Sequence, residues 1–292
     1  MYRSVKIRTS FLVVGIIAVS VICFSVFFAR NNADTLAVAT KEKQIRLPVV
    51  MYHGILNDAK YQGTYVISPS QFESDLKTIR EKSYTTVTVQ DLVEYVYNNR
   101  PLPEKPIMLT FDDGYYNNYL YAYPLLKKYG YKAVISPIAY YSEYFSNTEE
   151  KVSATYFHCN WQQLKEMMES GCVEVQNHSY NMHAEKGRLG LQFKKNESEN
   201  DYRTIIKKDI TTAQEMFQEN LQITPTAFVY PFGEFNAVSE KVIKELSFKC
   251  SMICAEKMNV ITKDKECLYQ LGRFIRTDKM TSDELFAKFD EE

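Results

Sequence analysis

Asp112 and Asp113 close an apolar run and are followed by Gly114; further along the chain His178 and His183 flank a short polar loop, Ser179-Tyr180-Asn181-Met182. The chain has only four histidines, and two of them bound this hexapeptide. One Asp and two His fill three positions of a divalent metal and leave a fourth open for water. A spare carboxylate beside them can act as a base, an arrangement suited to metal-assisted hydrolysis. Asp-Gly after an apolar run is by itself an ordinary turn signal. Two adjacent carboxylates are less ordinary, because like charges raise one pKa unless a cation intervenes. On an α-helix, residues with the spacing of His178 and His183 would lie ~140° apart. A helical zinc motif is therefore excluded, and a loop must bring the two rings together.

If the bond cleaved is an amide, an acid must protonate the departing amine. No histidine follows His183, so an acid that is a histidine outside the ligand set is His53 or His158. His53 is the stronger candidate, because it ends the apolar run Leu47–Tyr52 whereas His158 lies in an irregular stretch ahead of a helix.

The elements that must carry these residues alternate between strand-like and amphipathic patterns. Strands are expected over Leu47–Tyr52, Ile107–Phe111, Lys132–Ser136, Cys172–Gln176, Thr226–Tyr230, Lys249–Ile253 and Leu268–Leu271. Helices are expected from a cap near Ser70 to Glu73, over Asp91–Asn98, Asn118–Tyr129 (closed by Gly130), Trp161–Ser170, Tyr202–Asn220 and Ser239–Leu246, and from Ser282. Residues 184–200 form a polar excursion. This alternation predicts an α/β protein with a parallel sheet, open or closed into a barrel. In such folds chemistry gathers where strands end, and His53, Asp112, Asp113, His178 and His183 all occupy such ends.

At 292 residues with 45% hydrophobic content, one large core is possible. A net charge of −1, from 35 basic and 36 acidic residues, gives no electrostatic case for nucleic acid. The 22 Tyr and 17 Phe beside one Trp suit sugar-binding surfaces and half-wet cores alike. Cys23 lies in the first apolar segment; Cys159, Cys172, Cys250, Cys254 and Cys267 are scattered without a CxxC pair, which indicates neither a zinc knuckle nor a dense disulfide framework. Arg3, Lys6 and Arg8 precede the uncharged run Phe11–Ala29, long enough to cross a bilayer and oriented N-in. An uncleaved anchor over residues 1–29, a polar tether over 30–46 and a domain over 47–292 outside the cytosol are expected; cleavage near Ala37–Ala39 would instead release the domain.

The segments MYHG (51–54), LTFDDGY (109–115), NHSYNMH (177–183) and YPFG (230–233) resemble the polysaccharide deacetylases of carbohydrate esterase family four, from about Pro48 to Arg276. The resemblance implies a distorted (β/α) barrel of parallel strands. It also implies one divalent metal, usually zinc, with Co2+, Ni2+, Mn2+ or Fe2+ compatible. Carried over, Asp113, His178 and His183 correspond to the metal ligands and Asp112 to the base. The backbone N–H of Phe232 corresponds to an oxyanion donor, and Tyr230 and Tyr115 lie in motifs facing substrate. The wide spacing of His178 and His183 and the early Met-Tyr-His are similar to the poly-N-acetylglucosamine deacetylase branch, in which His53 takes the role of the acid. The Arg that usually precedes the third motif's Pro is missing, and Arg273 is the candidate substitute for orienting Asp112. The implied substrate is an N-acetylated polysaccharide, peptidoglycan or a poly-N-acetylglucosamine-like polymer, acted on at the cell membrane. O-deacetylation by the same site, and glycan binding without catalysis, are the alternatives.

Overall fold

The computed structural model describes residues 44–183 and 187–291. The expected membrane segment Phe11–Ala29, its cleavage site and the tether as far as residue 43 lie outside the described residues. Among the described residues no helix is long and apolar enough to cross a membrane.

In chain order the elements are β1 (Ile45–Leu47), β2 (Val49–Tyr52), β3 (Gly54–Ile55), β4 (Val66–Ile67), α1 (Pro69–Glu81), β5 (Thr85–Thr86), α2 (Val89–Asn98) and β6 (Pro106–Asp113). They continue with α3 (Tyr123–Tyr129), β7 (Ala133–Pro137), α4 (Ala139–Ser146), α5 (Trp161–Glu169), β8 (Val173–Val175), α6 (Glu199–Leu221) and β9 (Ala227–Val229). The chain closes with α7 (Ala237–Glu245), β10 (Cys250–Met252), β11 (Asn259–Ile261), β12 (Phe274–Ile275) and α8 (Ser282–Glu291). The mixed α/β class and the parallel sheet follow the sequence expectation. The main sheet runs β12-β2-β6-β7-β8, all parallel, with β5 pairing the first residues of β6. β9 and β10 form a parallel pair. A parallel bridge at Asn177–Phe228 lies just past β8, and another, Met252–Leu271, joins the last residue of β10 to Leu271.

β6 shows why these residues build a central strand. Its first seven residues are buried, as expected of a parallel strand covered on both faces. With a period of two, Ile107, Leu109 and Phe111 face the helices, packing with Phe72, Leu76 and Ile79 of α1. Met108 faces the opposite cluster with Val49, Val134, Val229 and Met252. Asp112 continues the Met108 and Thr110 row. Strict alternation would send Asp113 to the helix side, but its φ of +66° departs from strand geometry. Both carboxylates consequently reach one cavity.

Several boundaries differ from expectation for local reasons. α1 is capped at Ser68, two residues before the start of the anticipated Ser70–Glu73 cap. Ser68 Oγ accepts the Gln71 N–H at 3.2 Å, and Gln71 Oε1 accepts the Ser68 N–H at 2.9 Å. Pro69 occupies the first helical position, where its missing N–H costs nothing. Asn118–Tyr129 is not one regular helix, because residues 118–122 form a wide turn in which the Tyr123 N–H reaches the Asn118 carbonyl, before α3. The expected strand Leu268–Leu271 reduces to a bridge at Leu271, since residues 265–268 form a 3-10 turn capped by Asp264. α4 and β11 were not anticipated. The α4 sequence AYYSEYFS is rich in aromatic and Ser residues of modest helix propensity. β11 is three residues long and pairs with the equally short β1.

Candidate active site

A cavity of about 660 Å³ opens at the ends of the central strands. His53, Asp112, Asp113, Tyr115, His178, His183 and Phe232 all line it, so the structure gathers most of the residues singled out by sequence. Tyr65, Glu234 and Cys254 also line it and were not anticipated. A separate cleft holds the half-buried Glu174 carboxylate, which accepts the Gln90 N–H at 3.1 Å. Among the described residues, only Asp113, His178 and His183 converge as a possible metal-ligand set, their donor atoms lying within 4.8 Å of one another.

The loop carrying the two histidines is built from its own polar groups. Asn177 Oδ1 accepts the Ser179 N–H at 2.7 Å, and Ser179, at φ +76°, turns the chain. Ser179 Oγ accepts the Met182 N–H at 3.0 Å. Asp209 of α6 holds the outer side, its carboxylate accepting the Tyr180 and Asn181 N–H groups at 2.9 and 3.0 Å. The loop therefore returns His183 to His178.

His178 Nδ1 lies 2.8 Å from the Val229 carbonyl. A carbonyl only accepts, so Nδ1 carries the proton and Nε2 faces the cavity, the fixed tautomer typical of metal-ligating histidines. His178 Nε2 and His183 Nε2 each lie 3.4 Å from Asp113 Oδ1, and 2.9 Å from each other. A tetrahedral zinc site with bonds of about 2.0–2.1 Å separates its ligands by ~3.4 Å. Two edges of the triangle already match, and the third needs a small opening. The residues present fit a divalent ion.

The charges are strongly coupled. Burial pushes the Asp113 carboxyl up, but the His178 hydrogen bond and neighbouring imidazoles outweigh it and hold the group well below the usual carboxylate range. Burial opposes charge on His178, yet Asp113 and Asp112 prevail and raise its pKa. His183 is pushed down to about 3 by burial and then by the charge of His178. A ligating imidazole must give up the proton on its Nε2, so protons compete with the metal and zinc affinity should fall on acidification. A chelator-competition titration at pH 8 and pH 6 should give weaker binding at pH 6; equal affinities would contradict this proton competition.

Asp112 is paired more tightly than sequence could establish. Arg273 Nη1 donates to Oδ1 at 2.7 Å and Nη2 to Oδ2 at 2.8 Å, with both side chains buried. Arg273 Nε also donates to the Ile253 carbonyl at 3.0 Å, which fixes the guanidinium plane. Burial alone would raise the Asp112 pKa; Arg273, followed by His178, more than reverses this and keeps the carboxylate ionised. Cys254 Sγ lies 3.8 Å from Arg273 Nη2.

His53 stands edge-on to Tyr65, with ring centroids 4.8 Å apart, and burial lowers its pKa against the opposing pull of Asp112 and Asp113. His158, the other histidine weighed for the acid, does not line the cavity. Burial and then Asp113 raise the Tyr115 hydroxyl pKa. Phe232 has φ +58°, and its ring is 5.2 Å from His183. Tyr230 departs from expectation: its ring is fully buried in a cluster with Phe228 and Phe248 and does not line the cavity. The reason is strand alternation, since Tyr230 follows β9 on the face shared with Phe228.

A polysaccharide deacetylase family model matches residues 99–251. The chain belongs to the polysaccharide deacetylase family. It is 26% identical over 223 residues to a poly-beta-1,6-N-acetyl-D-glucosamine N-deacetylase of Escherichia coli strain K12, covering 68% of this chain and 32% of that protein. A protein of the same name from Staphylococcus aureus strain MRSA252 is 28% identical, covering 66% of this chain and 62% of the relative. The chain thus spans about a third of the length of the first relative (32%). A solved de-N-acetylase from Aggregatibacter actinomycetemcomitans superposes with a TM-score of 0.72 at 27% identity, covering 83% of this chain and 99% of that one.

In this family member Gly114 is the tightest point of the acidic loop. Its φ is +72°, and a Cβ there would stand 2.5 Å from Pro137 Cβ and 2.8 Å from Pro137 Cα. Gly114→Ala should destabilise the fold by about 2–4 kcal/mol, from overpacking plus left-handed strain. Urea denaturation checks this; an unchanged midpoint would contradict it.

Proposed function

We propose that this protein is a metal-dependent hydrolase that removes N-acetyl groups from N-acetylglucosamine residues of a cell-surface or cell-wall polysaccharide. The observation that carries this reading is the buried, bidentate Arg273–Asp112 pair directly beside the Asp113, His178 and His183 cluster. It supplies an ionised base next to a ligand set with an open position. Asp113, His178 and His183 would hold the ion, with zinc preferred from the donor types. When bound, such an ion supplies Lewis acidity and acidifies water.

This chain's residues account for the remaining needs of amide hydrolysis. Asp112, oriented by Arg273, takes the proton of the attacking water. The Phe232 N–H, at the turn of positive φ, is the donor for the developing oxyanion. His53 delivers the proton that the leaving nitrogen needs, with burial disfavouring its charged form and the Asp112 and Asp113 carboxylates favouring it. The presence of His53 in the cavity favours an N-acetyl over an O-acetyl substrate, since an amine leaves poorly without an acid. Tyr65, Tyr115 and Phe232 offer flat faces for a sugar ring, with Tyr65 exposed at 58%.

The sheet, the β9–β10 pair and the two parallel bridges support reading the fold as one distorted barrel of parallel strands. The basic flank and apolar run Phe11–Ala29 support a membrane anchor with an extracytoplasmic domain, joined by a polar segment from residue 30 that is two residues shorter than the expected 30–46, since Ile45 and Arg46 already belong to β1.

Acetate release from poly-N-acetylglucosamine, peptidoglycan and O-acetylated xylan tests the reading. Release from at least one N-acetylated polymer is expected. Release from the O-acetylated polymer alone would select an esterase, and glycan binding without acetate release a non-catalytic protein.

A further inference from the structure

His158 is the one histidine that the proposed chemistry leaves unused. It is nearly buried, at 9% exposure, and its ring is held by Tyr141 stacked at 4.4 Å and Tyr115 at 4.7 Å. Its Nδ1 lies 2.8 Å from the backbone carbonyl of Asp113. Because that carbonyl can only accept, Nδ1 is the donor, and the bond ends on the very residue whose carboxylate faces His178 and His183.

Asp113 needs such a partner. Its φ is +66°, and the Gly114 N–H returns to the Asp112 carbonyl at 2.8 Å, closing a three-residue turn about Asp113. Turns of this hand are rare and strained for a residue with a Cβ, and they persist only where surrounding groups over-determine them. The other donor to the Asp113 carbonyl, the Ile138 N–H, is distant at 3.4 Å. The segment bearing His158 is itself fastened beside the turn: the Tyr116 N–H donates to the Phe157 carbonyl at 2.8 Å and the Cys159 N–H to the Gly114 carbonyl at 2.7 Å.

We propose that His158 is a positioning residue that locks the strained Asp113 backbone and thereby aims the Asp113 carboxylate for metal ligation. The proposal rests on the metal-site reading above and adds a residue that lines neither the cavity nor the ligand set. Groups that act on a metal through its ligands typically change affinity by about 10–100-fold when removed.

Three variants of the full-length chain separate positioning from packing. His158→Phe keeps the aromatic stack and removes the donor. His158→Asn removes the ring but places an amide N–H near the position of Nδ1. His158→Leu removes the donor with a smaller side chain, should Phe not be accommodated. Zinc affinity by chelator competition, the visible absorption of the cobalt-substituted protein, and the melting temperature of the metal-free protein are the readouts. Zinc affinity is expected to fall about 10–100-fold in the Phe or Leu variant, with an altered cobalt spectrum, while the Asn variant stays close to wild type. Wild-type affinity and spectrum in the folded Phe and Leu variants would overturn the role of His158 while leaving the metal site intact. So would an Asn variant that loses as much affinity as they do. Wild-type protein that takes up no divalent metal would overturn the metal site and this role together.

Discussion

The Asp112→Asn variant should bind metal within a few-fold of wild type and release acetate ~10²–10⁴-fold more slowly, the usual contribution of a positioned general base. The carboxylate is buried beside the ligand set but is not one of the converging ligand atoms. An amide of the same shape keeps an acceptor for Arg273 and loses the ability to take a proton from water. Some stability is lost as well, because a buried guanidinium is left facing a neutral group. Metal content and single-turnover acetate release, measured on the same folded sample, separate the two effects. Acetate release at the wild-type rate would remove Asp112 from the chemistry.

Removing the partner should act differently. Arg273→Met leaves Asp112 buried without its cation, which typically costs about 3–5 kcal/mol when one member of a buried pair is deleted. In whatever fraction remains folded, burial is no longer outweighed, and the Asp112 pKa rises. The sign follows from the depressed pKa in the wild-type fold. The pair's contribution to stability is fully present above the unfolded carboxylate pKa, near 3.9, and is lost as pH falls through the lower folded value. In the variant the acid limb of kcat/KM should move to higher pH, because Asp112 must be ionised to act. Arg273→Lys keeps a charge but not the two-pronged fit, so it should fall between the two. A pH–rate profile and a urea denaturation series check both effects. An unshifted acid limb with unchanged stability would show that Arg273 does not control Asp112.

Much of the site was legible because its chemistry is local in sequence. Asp112-Asp113-Gly114 and the His178–His183 hexapeptide each sit at a strand end, and strand ends are where an α/β sheet exposes side chains. Arg273 could be suspected only as a replacement for a missing arginine. Its fork on Asp112 depends on β12 lying next to β2 and β2 next to β6, a long-range pairing that no local pattern encodes. Asp209 escaped notice for a related reason. On α6 it looks like any charged helix residue, and only the tertiary fold brings it to the Tyr180 and Asn181 amides. Tyr230 turns into the core despite its place in the YPFG motif, because a motif says which residues are adjacent, whereas strand alternation decides which face each one takes. The early start of α1 was available in principle, since Ser68 and Gln71 have the spacing of a capping box around Pro69.

In the proposed function Asp113, His178 and His183 hold a divalent ion on which deacetylation depends. The most direct measurement is acetate release from poly-N-acetylglucosamine by the full-length protein, first stripped with a chelator and then titrated with zinc. Activity should vanish on stripping and return in proportion to bound metal, reaching its plateau at one ion per chain, with no return in a His178→Ala/His183→Ala double variant. Undiminished acetate release from the metal-free protein, or full recovery in that variant, would contradict the account.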